Sequence, residues 1–224
     1  ELLSGAVFAA NARELSFLHV LFYINSGTNL DTLLGVDKGA QQDRIVGGSQ
    51  RICEELAARL GDAVQLEQPV RALRQQAEQV ELITDSGSHP ARRVIFAVPP
   101  TMLLRITQKP LLPGWRDQLL QRQPQGAVVK CMAHYATPFW RERGLSGQAT
   151  SESGPVRLTF DNSLPGSPRG VLMGFIEGDE ARHWSDQPVD QRQAVVLECF
   201  ARYFGAQALQ PLEYVDKSWM DEPF

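Results

Sequence analysis

Apolar side chains at helical spacing dominate the beginning of the chain. Between about residues 3 and 25 they include Leu15, Leu18 and Phe22, and so few polar residues separate them that the pattern predicts a largely buried helix. Residues 30–39 are rich in Asp and Gly, and this composition predicts a loop.

A second helix is predicted over residues 49–60. Gly47-Gly48-Ser49 precede it, and Ile52, Leu56 and Leu60 recur at helical spacing. Gly61 then follows in the manner of a glycine C-terminal cap. The residues therefore indicate both the type of this element and its two ends.

From residue 64 onward the apolar period changes to two, which is typical of strands. The alternating segments and the turn between the third and the fourth predict a small antiparallel meander, at 64–66, 69–73, 79–84 and 92–98 with the turn at 85–88. The last segment is apolar from Val94 to Val98, as in a buried strand, and Pro99-Pro100 ends it.

The second half of the chain predicts one sheet and two helices. An amphipathic helix is expected at 112–123 and a long helix at 189–204. Strands are expected at 127–135, 147–151, 156–161, 171–177 and 212–217, with a turn-rich segment at 162–168 joining two of them. The pattern predicts an α+β fold with a mainly antiparallel second sheet.

Composition restricts the class of protein. The 224 residues are 43% hydrophobic and 21% charged, with a net charge of −4, which is typical of a soluble globular protein and a poor match to nucleic-acid binding. The longest apolar stretch, Leu15–Ile24, covers a third to a half of the roughly 20 residues that a membrane span requires. The three cysteines form no disulfide framework, which favours the cytoplasm.

Short catalytic motifs are absent from the sequence, and one lysine is unusual. No GxSxG, HExxH, GxGxxG or Walker motif occurs, and the His and Cys spacings predict no metal site. Lys130, however, lies within Ala127-Val128-Val129-Lys130-Cys131-Met132-Ala133, a predicted strand with apolar residues on both faces. Its ammonium either reaches water at an open strand face or points into a wet cavity, where it can position water.

Eight segments in order resemble the flavin-containing amine oxidases, the monoamine oxidase group in particular. The similarity as a whole is spread from about residue 10 to residue 219. The eight segments are Ile45–Ser49, Arg51–Asp62, Val64–Val70, Val94–Pro100, Val128–Cys131 with Tyr135, Pro138–Arg141, Gly174–Ile176 and Lys217–Trp219. Single pieces such as the Gly-Gly helix start are common in FAD oxidoreductases, but their order and spacing together make chance convergence a poor explanation.

The resemblance implies a division of the chain into domains. Residues 1–46 correspond to a helical part of a substrate domain and 47–103 to part of an FAD-binding domain. Residues 104–217 correspond to the substrate-binding domain, and 218–224 begin the return to the FAD domain.

The resemblance also assigns roles to single residues. Lys130 matches the lysine that holds a water against the flavin and positions oxygen during reoxidation. Val70 matches a valine whose main chain meets the adenosine part of FAD, and Ala97 and Pro99 lie in a segment that runs beside the dinucleotide. Trp219 matches a tryptophan near the lysine-bound water, with core packing as the alternative reading.

On the substrate side, the resemblance implies an apolar gate and one amide. Leu34 matches the gate residue beside Leu33, and Gln41 matches a glutamine that orients the amine in an apolar tunnel. Ordinary loop packing for Leu33 and Leu34 and a solvated loop position for Gln41 are the alternatives.

Several family segments have no counterpart in this sequence, including the glycine-rich phosphate loop and the aromatic cage. We therefore expect the 224 residues by themselves to bind FAD weakly or not at all and to be inactive. We also expect them to expose apolar surface at 94–98 and 15–24, through which they self-associate. The implied function of the intact protein is oxidation of a small amine by O2 to an imine and then an aldehyde, with hydrogen peroxide. The alternatives are a non-catalytic interaction or fold unit and a flavin oxidase of a non-amine substrate.

Overall fold

The computed structural model describes residues 2–222, which form two compact units. Unit 1 comprises residues 2–16 and 126–222, and unit 2 comprises residues 17–125. Each unit contains its own sheet.

Both units contain helices and strands. The helices are α1 (Leu2–Phe8), α2 (Phe17–Ser26), α3 (Leu30–Leu34), α4 (Gln50–Leu60), α5 (Gly114–Gln121), α6 (Phe139–Glu142), α7 (Gly178–Ser185) and α8 (Val189–Phe204). The strands are β1 (Val70–Gln75), β2 (Val80–Thr84), β3 (Gly87–Ala91), β4 (Thr107–Lys109), β5 (Val128–Tyr135), β6 (Ala149–Thr150), β7 (Val156–Asp161), β8 (Gly170–Glu177) and β9 (Glu213–Ser218). Within residues 2–222, four 3-10 segments join some of them, at Ala12–Glu14, Gly61–Ala63, Pro100–Arg105 and Ala206–Leu209.

Unit 1 is built on a five-stranded antiparallel sheet with the order β6-β7-β8-β5-β9. Successive residues of β5 alternate between the two faces, as the pleat of a strand requires. One face is buried and carries Val129, Cys131, Ala133 and Tyr135. The opposite face, called the open face below, is half-buried and carries Val128, Lys130, Met132 and His134.

Helix α8 closes the buried face of this sheet. Phe200 is fully buried and lies so close to Gly174 of β8 that a Cβ at Gly174 would meet the ring at 2.8 Å. One continuous apolar core results, and it also includes Val129, Tyr135, Phe139, Trp140, Ile176, Val196 and Phe204. Burying so many apolar side chains against each other is the main source of stability for this unit.

Unit 2 contains a smaller four-stranded sheet with the order β3-β2-β1-β4, in which β4 runs parallel to β1. Its described residues contribute four buried side chains, Leu73, Thr84, Leu103 and Leu120. Large apolar side chains of α2 and α4 are instead exposed, among them Phe17, Leu18, Phe22, Ile52, Leu56 and Leu60.

Most of the predicted elements are confirmed. The fold is α+β, the 49–60 and 189–204 helices occur with nearly the predicted bounds, and the 112–123 helix is α5. Gly61 adopts a φ of +53° and its N–H donates to Ala57 O, as expected of a glycine cap. All five predicted strands of the second half are present, though the one at 147–151 is reduced to β6.

The single buried helix predicted for residues 3–25 is wrong in two respects. The helix is interrupted after α1, because Ala9 takes a φ of +47° and its carbonyl accepts a hydrogen bond from Ala127 N at 2.8 Å. No residue of α2 is buried, and Phe17 is 75% exposed. A tertiary hydrogen bond has overridden the local helical pattern.

The loop predicted at 30–39 begins with a short helix, α3. Its N-terminus is capped by Asn29, whose side chain accepts a hydrogen bond from Thr32 N at 2.8 Å. Asn29 is a sequence signal for the start of a helix, but the Asp and Gly residues that follow it favour a loop.

The meander is confirmed for β1 and β2, and its ends are corrected. Residues 64–66 and 92–98 form no strand, and Ile95 is 92% exposed, so the prediction of a buried last strand is wrong. The third strand is β3, which includes part of the predicted turn. Apolar composition predicts burial only where another element covers the segment, and within unit 2 none pairs with it.

Candidate functional site

Lys130 lies at the centre of the open face of unit 1. In the register of the sheet it is opposite Phe175 on β8 and Lys217 on β9. Its Nζ is 5.6 Å from the centroid of the Phe175 ring, within the range of a cation–π contact. Lys130 itself is half-buried on this face.

Aromatic and thioether side chains surround this lysine on the open face. The rings of Phe160 and Phe175 meet edge to face, with centroids 6.1 Å apart and planes at 84°. Met132 and Met173 are directly opposite each other in the register, and Phe160 is opposite Met173. The surface around Lys130 is therefore largely apolar on the β8 side, and it carries a second ammonium, that of Lys217, on the β9 side.

Sequence reasoning missed Phe160 and Phe175 as neighbours of Lys130. In the sequence, Gly174-Phe175-Ile176 stands out only as one of the segments that resemble the family. Period two along each strand places these rings on one face, but only the pairing of β5 with β8 and of β8 with β7 brings them to the Lys130 side of the sheet.

Trp219 follows β9 and lies beside the same strand as Lys130. Its backbone N–H donates to Val128 O at 3.2 Å, and the residue is 55% exposed. Lys217, two residues earlier, forms an ion pair with Glu222. Trp219 thus lies beside the strand that carries Lys130, with more than half of its surface exposed.

A buried ion pair fixes β9 from the other side of the sheet. Arg192 of α8 holds Asp216 with two hydrogen bonds, Nε at 2.9 Å and Nη2 at 2.8 Å, and Tyr214 OH donates to the same carboxylate at 3.0 Å. The hydrogen bonds that Arg192 donates to Asp216 raise the pKa of Arg192, against the opposing effect of burial. This network anchors the strand that carries Lys217.

The cysteines of the core are not candidate nucleophiles. Burial raises the pKa of the Cys131 thiol to about 12, and burial also raises the pKa of Cys199. Only the thiolate is reactive, so both remain inert at neutral pH.

Glu177 at the end of β8 lines a separate cavity of about 330 Å³ in unit 1. Gly5 of α1 lies over it, and a Cβ there would be 3.7 Å from Glu177 Oε2. Burial raises the pKa of Glu177 to about 7, because the charged carboxylate loses its hydration under the helix. The carboxyl is therefore partly protonated at neutral pH.

The predicted substrate residues lie together in a local structure of unit 2. Leu33 and Leu34 belong to α3, and the chain then folds back so that Gln41 N donates to Gly35 O at 3.0 Å. Leu33 is half-buried, whereas Leu34 is 40% exposed and Gln41 is exposed. This hydrogen bond places the backbone of Gln41 beside the C-terminus of α3.

The predicted cofactor residues of unit 2 lie in two places. Val70 begins β1, where it pairs with Thr84, but the pairing with β4 starts only at Ala72. The main chain of Val70 is thus outside the ladder on that side. Ala97 and Pro99 lie in the exposed segment that leads into the 3-10 helix Pro100–Arg105.

Residues 2–222 contain neither a metal-binding cluster nor a membrane-spanning helix. No group of three or more His, Cys, Asp or Glu side chains in that range is arranged to hold a metal ion. No helix there has the length and apolar character needed to cross a membrane.

Comparison with known proteins assigns the family. The family described as flavin containing amine oxidoreductase matches residues 2–224. The chain is 39% identical over 218 residues to "Probable flavin-containing monoamine oxidase A" of Dictyostelium discoideum, covering 96% of this chain and 48% of that protein. It is 35% identical to amine oxidase [flavin-containing] B of Canis lupus familiaris, covering 96% and 42%.

A solved structure supports the same assignment. Wild-type putrescine oxidase bound to putrescine matches with a TM-score of 0.91 and 33% identity, over 99% of this chain and 49% of that one. The chain thus spans about half the length of the relatives it matches. Together with the order of the motif segments and the α+β architecture, these matches establish that the chain belongs to the flavin-containing amine oxidoreductase family.

Proposed function

We propose that this chain forms part of an FAD-dependent amine oxidase in which Lys130 positions water and O2. The observation that carries the proposal is the position of Lys130, a half-buried lysine beside the Phe175 ring on a partly accessible sheet face. In the proposed reaction a small amine is oxidised to an imine, which water hydrolyses to an aldehyde, and O2 is reduced to hydrogen peroxide.

The chemistry of the cofactor and that of the chain are separate in this proposal. FAD, when bound, accepts the hydride equivalent from the amine carbon and passes the electrons to O2. Lys130 supplies three N–H donors that hold a water, and its positive charge favours the negative charge that develops on reduced oxygen. The aromatic neighbours limit the number of competing waters at the same place.

The residues of the chain fit an FAD dinucleotide in two respects. The backbone at Gly48 takes a φ of +89°, and a Cβ there would meet no atom within 4 Å, so the start of α4 is open to close approach. The main chain of Val70 is free on its β4 side, as a backbone contact to adenosine needs. Ala97 and Pro99 would continue this contact surface. We accordingly propose that residues 47–103 belong to the FAD-binding domain and 104–217 to the substrate domain.

The substrate proposal rests on the segment that carries Leu33, Leu34 and Gln41. Apolar side chains favour an uncharged amine with an apolar substituent, and one amide orients it. The partial exposure of Leu34 suits a gate residue, which must be reached from solvent. A panel of primary amines that differ only in chain length tests this part, because an apolar gate predicts rising kcat/KM with apolar length.

Lys130→Met tests the central role. The change keeps the length of the side chain and removes the ammonium. In the FAD-loaded product of the full reading frame, we expect the reaction with O2 to slow by about 10²–10³-fold. The anaerobic reaction with the amine changes far less, because Lys130 acts on oxygen and not on the amine carbon. Stopped-flow absorbance separates the two half-reactions.

Lys109→Met is the matched control, since Lys109 is exposed on β4. Equal slowing of both half-reactions by Lys130→Met would indicate a folding defect, and no slowing of either would contradict the proposal.

Two alternatives predict different results. A non-catalytic interaction unit predicts no oxidation of any amine by the FAD-loaded protein. An oxidase of a non-amine substrate predicts that the non-amine compound reduces the cofactor and that amines do not.

We also propose that residues 1–224 by themselves hold FAD weakly and are inactive, because the sequence contains no glycine-rich phosphate loop. A stoichiometric yellow preparation of the 224-residue chain would contradict that last point.

A further inference from the structure

The Phe175 ring beneath Lys130 is held by a second ring. Lys130 Nζ lies over the Phe175 ring at 5.6 Å from the centroid, and Phe160 meets the same ring edge to face. An edge-to-face contact fixes the plane of a ring, since its favourable geometry is specific. The orientation of the Phe175 face is therefore set by packing within the sheet.

We propose that Phe175 is a positioning residue for Lys130, its ring holding the ammonium in place on the open face through a cation–π contact. This inference rests on the proposed role of Lys130 and deepens it. A lysine side chain has four rotatable bonds and large rotamer freedom, so an ammonium that positions water needs a fixed neighbour.

The two sides of Lys130 favour the ring. On β9 the directly opposite residue is Lys217, whose like charge repels the ammonium across the strands. On β8 the directly opposite residue is Phe175, whose π face attracts it. The ammonium is therefore drawn toward β8, while Glu222 pairs with Lys217 and keeps that second lysine occupied.

A ring also leaves the ammonium free for its proposed task. A carboxylate partner would accept hydrogen bonds from one or more of the three N–H groups. An aromatic face attracts the positive charge and has no oxygen lone pair to accept those hydrogen bonds. The N–H groups of Lys130 stay available to water and oxygen. This property distinguishes Phe175 from an ion-pair partner of the kind that holds Lys217.

The contact is tested in the 224-residue chain itself by NMR of reductively methylated, 13C-labelled lysines. The sequence has four lysines, Lys38, Lys109, Lys130 and Lys217, so the spectrum is small, and Lys130→Arg identifies the signal of interest. Ring currents shield nuclei above an aromatic face. We expect the Lys130 methyl signal upfield of those of the exposed Lys38 and Lys109.

Three variants separate the ring from the apolar volume. Phe175→Met removes the ring and keeps a large apolar side chain, and we expect it to return the Lys130 signal to the position of an exposed lysine. Phe175→Tyr retains the ring face and the upfield shift. Phe160→Leu removes the edge-to-face contact and keeps Phe175 under the ammonium, so we expect a smaller upfield shift of the same sign.

A Lys130 signal that coincides with the exposed lysines in the unmodified chain would overturn the proposal, even where Phe175→Met fails to fold. Retention of the upfield shift in a folded Phe175→Met chain would overturn it as well.

The consequence for the reaction is tested in the FAD-loaded product of the full reading frame. We expect Phe175→Met to slow the reaction with O2 by about 3- to 30-fold, the factor that corresponds to a contact of this type. Phe175→Tyr restores most of the rate, and Phe175→Met in a Lys130→Met background has no further effect.

Equal slowing in both backgrounds would mean that the ring acts independently of Lys130, and would overturn the positioning role. No effect of Lys130→Met itself would instead remove the proposed function, while the NMR experiment still decides whether the contact exists. The two failures are thereby distinguishable.

Discussion

Units 1 and 2 contain sheets of similar size but differ in how the sheets are covered. In unit 1 the helix α8 covers one face of the sheet, and side chains such as Trp140 and Phe200 have no exposed surface. In unit 2 the apolar residues of α2 and α4 face outward, with Phe17 at 75% and Leu18 at 77% exposure. At roughly 25 cal/mol per Å² of buried apolar surface, this is a large difference in stabilisation.

The difference teaches that a matching apolar pattern does not guarantee burial. Helix α8 and helix α4 both show apolar residues at helical spacing, yet the apolar side of α8 is buried and the apolar side of α4 is exposed. A stripe of apolar residues becomes a core only where a second apolar surface meets it. Unit 1 supplies both surfaces from its own residues.

The sharpest way to test this comparison uses two ion pairs of the same geometry. Arg192–Asp216 in unit 1 is buried, and Arg71–Asp85 in unit 2 is exposed; both have two hydrogen bonds of 2.7–2.9 Å. Asp216→Asn leaves the Arg192 charge buried without its partner, and we expect it to lower the free energy of unfolding by about 3–5 kcal/mol. Urea denaturation followed by circular dichroism measures the loss.

Asp85→Asn is the matched variant in unit 2. Its ion pair is open to water, so we expect no change in the urea midpoint. Similar midpoints for the two variants would mean that the interior of unit 1 is no better protected from water than the surface of unit 2.

A smaller effect is expected from Glu177, whose pKa burial raises to about 7. An acid whose pKa is raised on folding binds its proton more tightly in the folded state. It therefore destabilises the fold progressively as pH rises from about 4.5 to above 7. We expect Glu177→Gln to remove this loss, which amounts to at most about 3 kcal/mol.

Thermal or urea unfolding between pH 5 and pH 8 measures the slope for Glu177→Gln and for the unmodified chain. Glu54→Gln, an exposed position on α4 in unit 2, is the control and keeps the slope unchanged. A Glu177→Gln variant with the same pH dependence as the unmodified chain would show that Glu177 is hydrated.

The smallest effect concerns the exposed apolar surface of unit 2. Phe22 and Leu18 are 67% and 77% exposed on α2, and a surface of this kind promotes association. We expect the 224-residue chain to self-associate as its concentration rises, and Leu18→Ser with Phe22→Ser to shift the equilibrium toward monomer. Analytical ultracentrifugation over a range of concentrations measures the shift.

Leu212→Ser, which removes an exposed apolar side chain from unit 1, is the control for this experiment and leaves the association unchanged. A monodisperse monomer at every concentration would rule out association through α2.

The candidate site shows what sequence reasoning can and cannot supply. Lys130 was conspicuous because a charge interrupts an apolar strand, and the sequence alone singled it out. Phe175, Phe160 and the Asp216 network were not found, because each depends on the pairing of residues that lie far apart in the chain. The proposed roles of Val70, Ala97, Pro99, Leu33, Leu34, Gln41 and Trp219 stay predictions.

The sequence by itself determined the local structure of this protein where the signal is short-range. Helices α4, α5 and α8 and the strands of unit 1 follow from periodicity and from caps such as Gly61, since a helix or strand is specified by residues within a few positions of each other. Only the tertiary structure decided the rest: the break after Ala9, the exposure of α2 and of residues 92–98, and the ring beneath Lys130. Burial and register depend on which distant surface meets each element, and no local pattern contains that information.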